Sequence, residues 1–251
     1  MRKTILYAAG NTSALQFACD FLQQHGSQIA AQPEPDVTHL LMPVPSFESD
    51  GRIKGGGVLE HILADLPENV TVIGGNLSHP ALRDYKQIDL LQDPAYLAQN
   101  AAITADCAVR IAANHLPITL RNCPVLVIGW GRIGKCLSQI LQAVGCQVSV
   151  AARKEADRCI AQALGCEVFA ISKLHTSLPH YRVIFNTVPV PVLNGVQLDA
   201  CHPSCVKIEL ASQPGLAGND VIQAKGLPGR DAPESSGLLI GKTVMRKIME
   251  G

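Results

Sequence analysis

No charge of either sign dominates this chain. Lys and Arg together number 21 and so do Asp and Glu, which leaves no basic excess for nucleic acid and no general attraction to an anionic membrane. Long apolar runs are missing as well. The run in "MRKTILYAAGNTSALQF" is broken at Gly10, Asn11 and Thr12, is too short to span a bilayer and has no small-residue cleavage site, so a cytoplasmic protein is expected. The Cys-x-x-Cys pattern is absent although there are nine cysteines. Their odd number and their settings inside apolar segments suit reduced, buried thiols rather than a disulfide framework. Cys201 and Cys205 flank His202, but no second cluster completes four ligands, so no metal site is expected.

What is present is a buried-sheet composition. With 47% hydrophobic and 17% charged residues, the 251-residue chain is not of the disordered kind and has the length for one large or two moderate domains. "TILYAAG" reads as a strand, and Leu15, Ala18, Cys19 and Leu22 then recur at helical spacing until Gly26. Further strands are expected within 37–44, 70–75 and 87–91, with "VLEHILADL" as a helix between, which is the βαβ rhythm of a parallel sheet. From Pro94 to Leu116 the chain has no Gly and a single Pro at its start, so one long helix is expected to connect two sheet-forming regions. The pattern then restarts with "CPVLVIGWGRIG", a helix carrying Leu137, Ile140, Leu141 and Val144, and the strand "CQVSVAA". Strands are expected again within 181–189 and 205–212, followed by the loop "GLPGRDAPES" and a last helix over 234–249 with Ile240, Val244 and Ile248 in register.

The expected organisation is α/β, with residues 1–93 as a substrate-side domain and 94–251 as the connecting helix and a nucleotide-binding domain. The apolar face of the last helix suits either the first domain or another protomer, which leaves a homo-oligomer open. The cleft between the domains is the expected active site.

Gly129, Gly131 and Gly134 form G-x-G-x-x-G directly after a strand and directly before a helix. In that setting the glycines permit a tight turn, close approach of a pyrophosphate, and close packing of helix on strand, while free N–H groups at the helix start hold the phosphates. The expected cofactor contacts are therefore Gly129, Trp130, Gly131, Arg132, Ile133 and Gly134, with Arg132 either near the pyrophosphate or in solvent. A NAD-binding version carries Asp or Glu about twenty residues on, at the end of the second strand. That acid is lacking here: the position falls at Ala151 or Ala152, followed by Arg153 and Lys154. A carboxylate would repel a 2'-phosphate, whereas a guanidinium and an ammonium attract it, so NADP is favoured over NAD. The alternative is two exposed cations that begin a solvated helix, "RKEADRC". Asn186, Thr187, Val188 and Pro189 end a later strand and are expected to line the nicotinamide ribose, the other reading being an ordinary strand-end turn.

The stretch from "PITLRNCPVLVIGWGRIG" to "VSVAARK", then "FNTVPVPVL", "KIELASQPGL" and "GLPGRDAPESSGLLIGKTV", resembles the dipicolinate synthase A-subunit family. These are Rossmann-fold dehydrogenases of spore-forming bacteria, related to the D-2-hydroxyacid dehydrogenases. The resemblance implies two Rossmann-like parallel-sheet domains joined by a long helix. "LLMPVPSFESDGRIKGGGV" is similar to the family's substrate-domain loop, and Asn100 and Thr104 match its Asn and Thr on the connecting helix. It further implies NADP-linked oxidation of a dihydrodipicolinate to the aromatic dicarboxylate during sporulation, alongside a flavoprotein-like B subunit. The substrate-binding candidates it implies are Pro43, Val44, Ser46, Gly55, Gly56, Asn100, Thr104, Ser212, Pro228, Gly229 and Arg230. The family's "GLPGKVAP-x-TAG" is altered here: Arg230 replaces Lys, Asp231 replaces an apolar residue and Ser235 replaces Thr. The N-terminal domain also looks shorter than is usual in the family.

A dicarboxylate substrate calls for cations or free N–H groups. Ser46, Arg52, Lys54 and the run Gly55 to Gly57 can supply both, against the alternative of a solvated loop. No catalytic acid or base is assigned. His61, His79 and His202 are each more simply surface or packed residues, and aromatisation provides a driving force that water or a weak base would satisfy. Two other readings stand beside the dehydrogenase: an NADPH-dependent reductase of a small keto acid, which predicts a His with a carboxylate partner, and a non-catalytic NADP-binding regulatory protein.

Overall fold

Short apolar runs become strands and the amphipathic stretches between them become helices, because parallel strands must be covered on both faces. A computed structural model describes residues 4–250, the side chains of His175 and Thr176 excepted. The chain divides into two compact units, one of Met1–Asn100 with Pro228–Gly251 and one of Ala101–Leu227.

The first unit contains β1 (Ile5–Ala8), α1 (Ser13–Gln24), β2 (Gln28–Ala30), β3 (His39–Leu41), α2 (Leu59–Ala64), β4 (Thr71–Gly74) and β5 (Gln87–Asp89). All five strands are parallel, in the order β2-β1-β3-β4-β5. This is a doubly wound sheet whose order reverses between β1 and β3. Leu6, Leu40, Leu41, Val72 and Ile73 are fully buried in it, each side chain contributing about 1.5 to 3 kcal/mol by leaving water. The long helix expected from its lack of Gly is α3 (Pro94–His115), which starts in the first unit and ends in the second.

The second unit holds β6 (Pro124–Ile128), α4 (Arg132–Ala143), β7 (Gln147–Ala152), α5 (Glu155–Ala163), β8 (Glu167–Ala170), β9 (Val183–Asn186), α6 (Gly195–Asp199), β10 (Val206–Glu209) and β11 (Val221–Gln223). Its six strands are parallel in the order β11-β10-β9-β6-β7-β8. That is the dinucleotide-binding arrangement, with its reversal between β6 and β9. The sequence pattern does not predict β2, β8 and β11, and all three lie at sheet edges.

The stretch expected as a loop, "GLPGRDAPES", is instead mostly helical: α7 (Leu227–Asp231) is followed by α8 (Pro233–Glu250). Pro228 and Pro233 stand at helix starts, where the missing N–H has no intrahelical partner to lose. α8 returns to the first unit and packs against α1. A Cβ on Gly237 would collide with Phe17 and the Ala14 carbonyl, and one on Gly241 with the Phe21 ring, so the two helices meet where side chains are missing. Leu239, Ile240 and Val244 are buried.

α8 is also tied electrostatically. Asp93, just ahead of α3, accepts the Tyr96 N–H at 2.8 Å, while Arg246 and Lys247 each reach its other oxygen at 2.9 Å. Burial alone would raise the Asp93 pKa, but the hydrogen bonds from Arg246, Tyr96 and Lys247 outweigh it and hold the carboxyl well below the usual carboxylate range. An unfolded Asp titrates near 3.9, so this stabilisation is complete above roughly pH 5 and is lost as the pH falls below that toward the folded value. Asp93→Asn is expected to lower the thermal midpoint at pH 7, with the gap to the unaltered protein closing as melts are repeated from pH 5 down to pH 3.

Candidate functional site

The turn after β6 is set by three glycines with three different surroundings. Gly129 has a φ of +107°, the left-handed region that favours glycine, and a Cβ there would strike the Thr187 hydroxyl. Gly134 lies against the Gly129 carbonyl, with no room for a side chain. Gly131 is different, since its backbone is ordinary (φ −80°, ψ −168°) and a Cβ would meet nothing within 4 Å. The chain itself places no demand for glycine there, and the open space lies where a phosphate would approach. Gly131 is also the N-cap of α4 with no side chain capping the first turn, so the α4 N–H groups and its dipole remain available to an anion.

The neighbouring strand ends are locked level with this turn. Thr187 sends both its N–H and its hydroxyl to the Ile128 carbonyl at 2.9 Å, and the Gly129 N–H reaches the Ala151 carbonyl at 2.9 Å. Together they bound a depression of about 300 Å³ lined by Gly129, Trp130, Gly131, Ala152, Arg153, Lys154, Asp157, Ile171, Thr187, Val188 and Pro189. Eight of the twelve cofactor contacts expected from the sequence thus line one depression, while Arg132, Ile133, Gly134 and Asn186 are not among its lining residues. Trp130 is buried, and its indole N–H has no partner among the described residues.

At the end of β7, Ala151 and Ala152 are buried, and Arg153 and Lys154 are exposed with no ion pair among the described residues. Arg158, which no sequence pattern singles out, donates from one nitrogen to the Ala152 carbonyl (2.9 Å) and the Arg153 carbonyl (2.7 Å), fixing the backbone that presents both cations. Asp157 also lines the depression, in the first turn of α5 where it complements the helix dipole. Arg153 and Lys154 against Asp157 leave this wall with one net positive charge.

The substrate candidates fall in both units. Ser46 is fully buried, donating to the Pro43 carbonyl at 2.8 Å and accepting the Gly75 N–H at 3.0 Å, so its hydroxyl ties the loop after β3 to the loop after β4. Pro43 is buried and Val44 half-buried. The Gly55 carbonyl accepts the Asn11 N–H at 3.1 Å, and Gly56 is exposed with open space around it. α2 begins only at Leu59 and spans six residues, too short to offer much of a dipole to the glycine run. Arg52 pairs with Asp50 at 2.7 Å. Asn100 is half-buried and Thr104 buried on α3; Ser212 is exposed. Pro228 is buried, while Gly229 and Arg230 are exposed on α7, with the Arg230 guanidinium on Asp231 at 2.9 Å.

Residues 100–197 match the family "D-isomer specific 2-hydroxyacid dehydrogenase, NAD binding domain". Over 239 residues the chain is 26% identical to the dipicolinate synthase A-subunit of Bacillus subtilis (strain 168), covering 87% of this chain and 80% of that protein. It is similar to the dipicolinate synthase A-subunit. The solved structure of that protein from Bacillus halodurans superposes with a TM-score of 0.84 at 21% identity, over 97% of each chain. A transhydrogenase from Sinorhizobium meliloti shares the fold at TM-score 0.73 and 13% identity, over 97% of this chain and 93% of the other. The likeness to the synthase and the matched domain identify an oxidoreductase of the dehydrogenase type that uses a nicotinamide dinucleotide, on two parallel-sheet α/β domains of Rossmann-like build.

Because Gly131 meets nothing in its own chain, Gly131→Ala is expected to keep the thermal midpoint while weakening nicotinamide dinucleotide binding by about tenfold or more. Trp130 is the sole tryptophan and lines the depression, so quenching of its fluorescence on titration reads the affinity directly.

Proposed function

We propose that the chain is an NADP-dependent oxidoreductase that oxidises a dihydrodipicolinate to dipicolinate, as the likeness to the dipicolinate synthase A-subunit suggests. The observation that carries the cofactor choice is the end of β7, where the ribose-binding acid of a NAD site is replaced by buried alanine. Two cations with no ion pair among the described residues, Arg153 and Lys154, stand over the depression there. A 2'-phosphate accepts charge-assisted bonds from both, and Asp157 offsets only one of the two charges.

In this reading the turn from Gly129 to Gly134 holds the pyrophosphate, with Arg132 and Ile133 offering backbone N–H groups at the start of α4. Thr187, Val188 and Pro189, backed by Asn186, bound the nicotinamide side. The cofactor when bound supplies the hydride acceptor. The substrate's carboxylates are assigned to the loop carrying Pro43, Val44, Gly55 and Gly56, to Asn100 and Thr104, to Ser212, and to Pro228, Gly229 and Arg230. Ser46 serves that loop by holding its backbone. Arg230 shares its charge with Asp231, which weakens its pull on an anion relative to the lysine of the family pattern. A flavoprotein-like B subunit is the second component, and the place of action is the cytoplasm of a sporulating cell.

The keto-acid reductase requires a histidine with a carboxylate partner. The three histidines considered for that role do other work or stand apart from it: His79 Nδ1 accepts the Ala81 N–H and its ring stacks on Phe47, His202 Nδ1 accepts the Ser204 N–H, and His61 is exposed on α2.

The test is to mix the full chain with dihydrodipicolinate and either NADP or NAD and to follow the absorbance of the reduced nicotinamide. Turnover with NADP is expected; absence of turnover with either cofactor, with or without the flavoprotein partner, defeats the reading. Arg153→Ala is expected to weaken NADP by about ten- to a hundredfold and leave NAD nearly unchanged, since a charge-assisted bond contributes roughly 1.5 to 3 kcal/mol. Equal losses for both cofactors would move the 2'-phosphate away from this strand end.

A further inference from the structure

β10 ends in a fully buried carboxylate, Glu209, that no cation meets among the described residues. One of its oxygens accepts the Asn186 amide at 2.8 Å and the Ala211 N–H at 3.0 Å. The other accepts the same amide at 3.0 Å, the Gly215 N–H at 2.7 Å and the Leu216 N–H at 3.0 Å. Four N–H donors thus converge on one side chain with two acceptor atoms. A neutral amide of the same shape has a single acceptor oxygen and would turn an NH₂ toward one of these donor sets. Only a carboxylate satisfies them, although burying a charge without a counter-ion is costly.

Asn186 passes the constraint on. While its amide is held by Glu209, it also donates to the Val188 carbonyl at 3.0 Å, and its oxygen accepts the Val188 N–H at 3.1 Å. Behind this turn the loop 211–216 fits so closely that a Cβ on Gly215 would strike the Asn186 amide and lie 2.7 Å from the Val190 carbonyl and 2.9 Å from the Val188 carbonyl. Thr187, Val188 and Pro189 are the β9 wall of the depression. The sheet order β10-β9-β6-β7 puts that wall on the opposite side of the glycine turn from Arg153 and Lys154.

We infer that Glu209 is a positioning residue for the nicotinamide half of the cofactor site, acting through Asn186 on the segment 187–190, and not on the adenosine half at the end of β7. The inference rests on the cofactor reading given above. The pyrophosphate belongs to the glycine turn and the adenosine ribose to the end of the second strand of the fold, so the β9 side is left for the other nucleoside. Loss of the Glu209 charge lets the 187–190 turn move without touching the Arg153 and Lys154 backbone, which Arg158 holds independently.

Dissecting the ligand tests this. In the full chain, Glu209→Gln is expected to weaken NADP by about tenfold or more while changing the affinity for 2',5'-ADP, which carries only the adenosine half, by less than about twofold. Binding is measured by calorimetry and by Trp130 fluorescence. If the unaltered protein prefers NAD, the same split is read with NAD against 5'-AMP, and the inference stands while the NADP preference falls. Equal losses for fragment and whole cofactor would mean that Glu209 holds the unit together generally, and unchanged affinity for both would mean that it holds nothing of consequence; either overturns the inference. If Glu209→Gln does not fold, Gly215→Ala keeps the charge but crowds Val188 and Val190, and must give the same split. A protein that binds neither dinucleotide removes both this inference and the cofactor reading, whereas a missing split alone removes only this one.

Discussion

The second unit depends on keeping three strand ends level. β6, β7 and β9 stop together because the Ile128 and Ala151 carbonyls accept N–H groups from Thr187 and Gly129, and the Thr187 hydroxyl adds a second bond to Ile128. This alignment leaves the α4 N-terminus uncapped at the reversal of strand order, where no neighbouring strand fills the space. An anion-binding site is then a consequence of the backbone: a left-handed glycine turns the chain, another lets the helix sit on the strand, and between them Gly131 faces open volume. The dehydrogenase-type domain match over residues 100–197 falls on this arrangement.

Around that core the wall is built from two separately anchored halves. On the β7 side Arg158 bonds two consecutive carbonyls and so sets the direction in which Arg153 and Lys154 leave the sheet. On the β9 side a buried carboxylate gathers four N–H donors and fixes the turn that follows Asn186. Neither anchor touches the other, which allows the two ends of a long ligand to be held by different chemistry. The first unit shows the same economy of means: Ser46 joins two loops at the carboxyl ends of β3 and β4, and Asp93 joins the start of α3 to α8.

Much of this is legible in the residues. Most interior strands are largely apolar runs, since a strand covered on both faces has little polar side to interrupt it, and each falls within a stretch that the pattern predicts; β10 departs from this, with Lys207 and Glu209 buried in alternation with Val206 and Ile208. The edges are harder. β2, β8 and β11 are three or four residues long and partly exposed, so neither a continuous run nor strict alternation marks them. The segment 227–231 reads as a loop because Pro and Gly usually punctuate chains; it is helical because its proline stands in the first turn, where the ring costs no hydrogen bond.

The sequence by itself determined the glycine turn, the missing acid at Ala151 and Ala152, and the cations that follow them, because each is a local signal: a spacing along one strand–turn–helix. Only the tertiary structure decided what depends on distant segments meeting. Ser46 looks like a ligand-binding hydroxyl and is buried against Gly75, a partner 29 residues on, which no local pattern announces. Glu209 is the acid that ends a strand alternating apolar and charged residues, a signal visible in "KIELASQPG" but without meaning until Asn186, 23 residues earlier, is brought beside it. A buried charge is tolerated only where enough donors converge, and convergence is a property of the fold.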